Sequence, residues 1–356
     1  MVPTRFWTGV WLVRLRDYDA RRLRKHFGSL HGTPDSGANG GGALGSQRRP
    51  LYRPSPLLVH AAMATVAVLF SLNYVISKIG LHSFNPLSFA YLRIVSSALI
   101  LNFILHERKA APLAPGDGWR LAGFAILGVV INQSLFLAGL AFTSAHVAAI
   151  LMTTIPVFAL GAAIALGRER GTAAKVGGIA LAAAGALMVV GGEGFAGTSK
   201  SLVGDLLIVG NSLSYALYLV VSKPAMARLS ARRVIARMFA VASVVMLPIA
   251  AWPMMHETWS AIPPRAWLAL GLVIAGPTVT AYLLNAWALK HSDSSVVAAY
   301  TYLQPVFTVF LASMFLHEQI RSIAILAAVM IFTGVYISGR PAPAAAREAA
   351  VPGNPD

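Results

Sequence analysis

The chain has 356 residues, of which 56% are hydrophobic and only 12% charged, and its mean hydropathy is +0.66. Soluble domains run at about 45–50% apolar and about 25% charged, so this composition excludes a water-soluble globular fold and makes lipid the solvent. There is no cysteine, which excludes disulfides, thiolate metal sites and cysteine nucleophiles; the formal net charge of +16 sits where it orients a membrane protein, not where it grips nucleic acid.

Residues 1–56 stand apart. They hold ten basic residues (Arg5, Arg14, Arg16, Arg21, Arg22, Arg24, Lys25, Arg48, Arg49, Arg53) against Asp17, Asp19 and Asp35. Arg5 to Phe27 mixes aromatics with arginines, as an amphipathic helix on anionic lipid does; a dispensable extension reads equally well. Its apolar run is broken by Arg14 and Arg16, unlike a secretory signal. Thr33 to Pro56 is rich in Gly, Ser, Pro and Arg and reads as disordered.

From Leu57 onward ten apolar segments follow, each long enough to span about 30 Å of hydrocarbon. They cover 57–80, 84–105, 119–140, 144–167, 172–192, 204–225, 232–252, 265–288, 293–316 and 321–340. Short connectors make consecutive helices antiparallel neighbours. With the N-terminus inside, the inner connectors carry Arg108, Lys109, Arg168, Arg170, Lys175, Arg228, Arg232, Arg233, Lys290, Arg340 and Arg347. The outer ones and the helix ends carry only Lys78, Lys200, Arg265 and Arg321. That bias places both termini in the cytoplasm of an inner-membrane protein, with a disordered tail over 341–356.

The fourth and ninth segments repeat each other without gaps at an offset of 149. Val147/Val296, Ala149/Ala298, Pro156/Pro305, Val157/Val306, Phe158/Phe307, Ala163/Ala312 and Glu169/Glu318 coincide, and Gly185/Gly334 keeps the register. Ser77-Lys78 pairs with Ser222-Lys223 and Arg93 with Arg237 at slightly smaller offsets. The expected fold is therefore an all-α integral membrane protein: ten transmembrane helices as two inverted five-helix repeats, over 57–192 and 204–340. Five is odd, so the second copy enters the membrane inverted. That is the plan of many secondary transporters, with the solute site near the midplane between the halves.

These features carry a resemblance. The first helix ends in Asn73-Tyr74 and Ser77-Lys78, and the second holds Tyr91-Leu92-Arg93. Pro156-Val157-Phe158 closes on Arg168-Glu169, and Pro305-Val306-Phe307 on His317-Glu318. In order, spacing and duplication the pattern resembles the drug/metabolite transporter superfamily, EamA-domain branch, over 57–340. The resemblance implies a ten-helix fold that exports or exchanges solutes, with substrates differing widely among members. The sixth helix departs from it, with Tyr218 or Leu219 where the Asn73-Tyr74 pair would fall.

Polar residues in spanning helices face cavities or neighbouring helices. The candidate cavity set is Asn73, Tyr74, Asn132, Gln133, Thr154, Asn211, Tyr215, Tyr218, Tyr282, Asn285, Tyr300, Thr301 and Gln304. Such amides, hydroxyls and rings suit an uncharged or zwitterionic organic solute; interhelical hydrogen bonding is the alternative. Pro156 and Pro305 are expected to kink their helices. Arg93 and Arg237 are read as buried charges that need a partner, either backbone carbonyls or an anionic substrate. Glu169 and Glu318 read as interfacial groups, paired with Arg168, Arg170 or Arg321 or simply solvated, rather than as proton-coupling groups. Asp205 and His146 read as helix-start residues, His146 as interfacial rather than a proton carrier, so no carboxylate relay stands out. Gly178, Ala182 and Ala186 form a seam for close packing within the fold or in a dimer.

No HExxH, GxSxG or membrane aspartate pair is present, so no enzyme, cofactor or metal is expected. The function expected is export or exchange of a small organic metabolite or drug-like solute by alternating access. A lipid-intermediate flippase and a non-transporting scaffold or sensor are the alternatives. The expected partners are the solute and the lipid bilayer, with proton or counter-solute coupling and oligomeric state left open and no nucleic acid.

Overall fold

The computed structural model describes residues 55–104, 116–194, 199–228, 231–291, 300 and 303–339. The N-terminal extension and the C-terminal tail lie outside these residues. Among the described residues the chain is helical, without strands.

The helices are α1 (Pro56–Leu81) and α2 (Pro86–Ile104); α3, built from Asp117–Ala125, a π-helical Ile126–Ile131 and Asn132–Phe142; α4, built from Ala145–Met152 and Ile155–Ala165; α5 (Ala173–Gly194), α6 (Ser199–Arg228) and α7 (Ala231–Met255); α8, built from Pro264–Val273, a π-helical Ile274–Thr280 and Ala281–His291; α9 (Leu303–Leu316); and α10 (Ser322–Ser338). The first eight are long and apolar enough to cross a membrane; Leu303–Leu316 and Ser322–Ser338 are shorter and apolar. Large apolar side chains such as Leu99, Phe103, Leu187, Val244 and Trp252 lie exposed on the bundle's surface, as lipid permits and water does not.

Local chemistry sets the boundaries. Ser55 caps α1, its hydroxyl accepting the Leu58 amide at 3.3 Å, and Pro56 fills the first turn, where no N–H is needed. Pro156 does not kink a continuous helix. It has no N–H for the carbonyl four residues back, so α4 breaks at Thr153–Thr154 and restarts with Pro156 in its first turn. The two threonine hydroxyls donate to the carbonyls of Ile150 and Leu151, each at 2.6 Å. Pro305 likewise stands near the start of α9 as described.

The two π segments open the backbone ladder. In α3 the Leu127 carbonyl accepts the Ser214 hydroxyl of α6 at 2.8 Å. In α8 the Val273 carbonyl accepts the Thr278 hydroxyl at 2.9 Å.

Small residues decide the closest packing. A Cβ on Gly178 would meet the Gly334 carbonyl at 2.5 Å, and one on Gly334 would meet the Gly178 carbonyl at the same distance. One on Gly185 would meet the Ala327 carbonyl at 2.9 Å. The α5 seam therefore packs inside the fold, against α10, with backbones in contact. α6 lies on α3 and α4, α1 on α8 and α9, and α2 on α7.

Candidate functional site

Two polar clusters stand out. The first lies where α3, α4 and α6 meet. Asn132 donates its amide to the Asn211 side-chain oxygen, and Asn211 donates to the Met152 sulfur at 2.8 Å. The Ser212 hydroxyl approaches the same sulfur and the Leu151 carbonyl, both at 3.5 Å. Met152 ends the first segment of α4, so the break presents its thioether to α6.

Aromatic rings extend this cluster. Tyr74 packs edge-on against Phe136 at 5.4 Å. Tyr215 and Tyr218 lie 5.5 Å apart, and Tyr218 reaches Phe124 at 6.4 Å. Tyr218 lies over Gly128 in the π segment, where a Cβ would meet its ring at 2.7 Å. The Asn73 amide oxygen accepts the Ser77 hydroxyl at 3.4 Å. The Gln133 amide oxygen is buried with no hydrogen-bond partner among the described residues.

Where described, the expected residues after α7 show other contacts. The Tyr300 hydroxyl and the His60 ring are 2.9 Å apart. Ser71 donates to the Gln304 carbonyl at 2.9 Å. Asn285 is half-buried. Thr301 and the Tyr282 side chain lie outside the described residues. Thr154 is buried and bonded to its own helix.

Arg93 is buried, and its Nε donates to the Thr278 hydroxyl at 3.2 Å, a side-chain acceptor on the α8 π segment. Arg237 is not buried: its side chain lies on the bundle surface. The expectation of two matched buried charges fails there, because Arg237 takes the exposed face of α7.

The second cluster closes the end of the bundle where α1 and α3 finish. The Lys78 ammonium donates to the Leu140 carbonyl at 3.2 Å and to the Thr143 carbonyl. These are end carbonyls of α3, which an ammonium satisfies well. The Thr143 hydroxyl donates to Asp205. Asp205 is fully buried at this end, in the second turn of α6, which begins at Ser199.

Glu318 completes this end. Its carboxylate accepts the Ala145 amide at 2.8 Å, the His146 amide at 3.1 Å and the His146 ring Nδ1–H at 2.6 Å. A carboxylate on the first turn of a helix meets unsatisfied N–H groups and the positive end of the helix dipole. Burial pushes the Glu318 carboxyl up, but the bonds from the His146 ring and from the two amides outweigh it and hold the group below the usual carboxylate range. His146 is only 2% exposed, and its Nε2 has no hydrogen-bond partner among the described residues. At the same end Glu257 accepts the Asn85 amide at 3.2 Å. Thus α2 and α4 each start against a glutamate from the second half of the chain.

Sequence reasoning read His146 as interfacial and gave Glu318 other partners. The one available signal was that Glu318 repeats Glu169. Among the described residues no group of three or more histidines and acids stands where it could hold a metal ion.

Compared with known proteins, residues 57–191 and 202–340 each match the EamA-like transporter family. The chain belongs to that family. A relative from Archaeoglobus fulgidus, named as an uncharacterized transporter, is 26% identical over 283 residues, 78% of this chain and 96% of its own. Another, named as a probable amino-acid metabolite efflux pump, is from Escherichia coli (strain K12); it is 26% identical, over 77% of this chain and 92% of its own. A crystal structure at 17% identity aligns over 79% of this chain and 98% of its own with a TM-score of 0.54, a likeness of fold. The protein is thus an EamA-family membrane transporter built from many apolar helices.

Proposed function

We propose that this EamA protein exports or exchanges a small organic metabolite or drug-like solute by alternating access. It does so as ten membrane helices in two inverted five-helix repeats, over 57–192 and 204–340, in the inner membrane with both termini cytoplasmic. The carrying observation is that structural details recur at a sequence offset of 148 or 149. The π segments begin at Ile126 and Ile274, 148 residues apart. Gly128 takes the ring of Tyr218, and Gly276 faces Leu69: 128 and 276 differ by 148, and 69 and 218 by 149. The Gly178–Gly334 and Gly185–Ala327 contacts exchange under the same offset of 149. The Glu169 amide reaches the Ala163 carbonyl at 3.1 Å, and the Glu318 amide reaches Ala312 at 3.3 Å, again 149 apart. Two halves with matched contacts can close either end with comparable energy, which is what alternating access requires.

The solute site of this reading is the midplane region around Asn132, Gln133, Asn211, Tyr215 and Tyr218. A solute that donates a hydrogen bond satisfies the buried Gln133 oxygen and stacks on the tyrosines. Amino-acid-derived metabolites are the first class to screen, since one relative bears that name. The test is an untargeted comparison of media from cells making wild type, a Tyr215→Ala/Gln133→Ala variant at matched membrane abundance, or neither. A metabolite class exported by wild type alone supports the reading. Export retained by the variant overturns the site, and three identical media overturn export.

A further inference from the structure

We propose that Glu318 is the clamp of an outer gate, that this structure is the outer-closed state, and that the outer end opens only when Glu318 leaves the start of α4. The inference rests on the alternating-access reading and the orientation proposed above. It adds the contact that separates the two states.

Three observations carry it. First, the contact crosses between the halves and is shielded. Glu318 follows α9 in the second half, and its three donors all stand at the start of α4 in the first half. The Glu318 side chain is 11% exposed and that of His146 3%, so water competes poorly for these bonds. Second, contacts that join the halves toward the other end are open to water. Arg168 donates to the Val220 carbonyl and His60 meets the Tyr300 hydroxyl, both on the exposed surface. An exposed bond exchanges readily for one to water and holds little. Third, the backbone is bent where it aims Glu318. α9 closes in a turn whose left-handed residue is His317, with φ of 53°, and the Glu318 amide bonds back to the Ala312 carbonyl. Glycine is the usual choice there, because a Cβ is crowded. The first copy follows that rule with Gly167, whose φ is 65°. A histidine kept in that conformation marks a backbone over-determined by its surroundings.

Inverted repeats that exchange contacts between two states have one end held while its counterpart is released. Glu318 is held. Glu169, at the same place in the other copy, bonds to Lys175 at 2.8 Å within its own half, and among the described residues it makes no bond across the halves. Lys78 ties α1 to the end carbonyls of α3, so the first half presents the start of α4 as one braced receiver. Departure of Glu318 leaves two amides in the first turn of α4 without their acceptor. Water satisfies them only once the end has opened. Unclamping and opening are therefore a single event.

The absence of cysteine makes the test direct. Spin-labelled cysteine pairs go on exposed residues: His82→Cys with Ser322→Cys at the outer end, and Ala173→Cys with His291→Cys at the inner end. Distances are read by double electron–electron resonance in lipid nanodiscs. Glu318→Gln trades one acceptor oxygen for a donor and removes the charge. It should raise the ratio of a longer outer distance to the resting one by about tenfold, with the inner pair shortening in step. Glu318→Asp keeps the charge but loses reach. It should shift the same way by less, and it carries the test if the glutamine variant does not fold. Outer distances unchanged in both variants overturn the clamp. So does an equal shift in Glu169→Gln, whose contact lies within one half. An outer pair that lengthens while the inner pair stays fixed leaves Glu318 a local clasp and overturns alternating access, and the gate with it.

Discussion

Glu169 and Glu318 end their helices on the same turn, each with its amide bonded to the carbonyl six residues back. Their side chains behave differently. Glu169 closes on its own half, pairing with Lys175 at 2.8 Å with side chains 29% and 20% exposed. Glu318, 11% exposed on its side chain, crosses to the other half and accepts three N–H bonds. Hydrogen bonds to a charged group are worth about 1.5–3 kcal/mol each, whereas a partly solvated ion pair contributes below about 1 kcal/mol. Two duplicated residues thus have unequal weights, and the difference comes from the helix start that one of them has within reach. The repeat fixes where a glutamate stands; the groups within its reach fix what it holds.

The sharpest way to break this comparison lies at the seam that both halves share. Gly178→Val places a side chain against the backbone of α10 and should abolish folded protein or lower its melting temperature in detergent by more than about 10 °C, since overpacking costs about 1–3 kcal/mol or more. Adjacent Gly177→Val, where a Cβ meets nothing within 4 Å, should melt like wild type. Equal losses at both positions would mean that valine harms this helix for reasons other than contact.

Next comes the pair of glutamates. Glu318→Gln should raise the reaction of an Ala145→Cys reporter, buried beside Glu318, with a water-soluble maleimide at pH 7 by about tenfold, one lost charge-assisted contact being about 1.4 kcal/mol or more. Glu169→Gln should change it less than about twofold. If the two variants match, the clamp has no special weight.

The π segments give a third contrast. Gly128→Ala drives a methyl into the Tyr218 ring at 2.7 Å, whereas Gly276→Ala meets a flexible Leu69 methyl at 3.3 Å. Transport of the identified solute should fall several-fold in the first and stay within about twofold in the second. Last, Thr278→Val removes the acceptor of Arg93 Nε and should cost about 1 kcal/mol, read as a melting shift of a few degrees against a Thr65→Val control, since Thr65 bonds only to its own helix.

The helices and the offset of 149 were legible in the sequence, because lipid imposes long apolar runs and a gapless duplication survives at Pro156/Pro305 and Glu169/Glu318. The closing cluster was not. Glu318 reaches His146 across 172 residues, and two of its three donors are backbone amides, which no residue type announces. Asp205 stands near a helix start as read, but its burial is not visible in hydropathy, and Arg237 was misread because a repeat mate need not share a face. Of the candidate cavity, Asn132 meets Asn211 and Tyr215 meets Tyr218; only the second pair follows from helical spacing. The role of Met152 depends on a helix break that only the Pro156 backbone could have hinted at.

The α5–α10 seam has a mechanical meaning. Where two backbones touch over Gly178, Ala182, Gly185 and Gly334, no side chains intervene to be compressed, so the pair acts as a fulcrum. α5 has 22 residues, which at about 1.5 Å per residue puts each tip about 16 Å from its middle. A tilt of about 15° there sweeps a tip through about 4 Å, more than the width of a water molecule. In the alternating-access reading proposed above, such a bearing of glycine turns a small rotation at the centre into an opening at the rim.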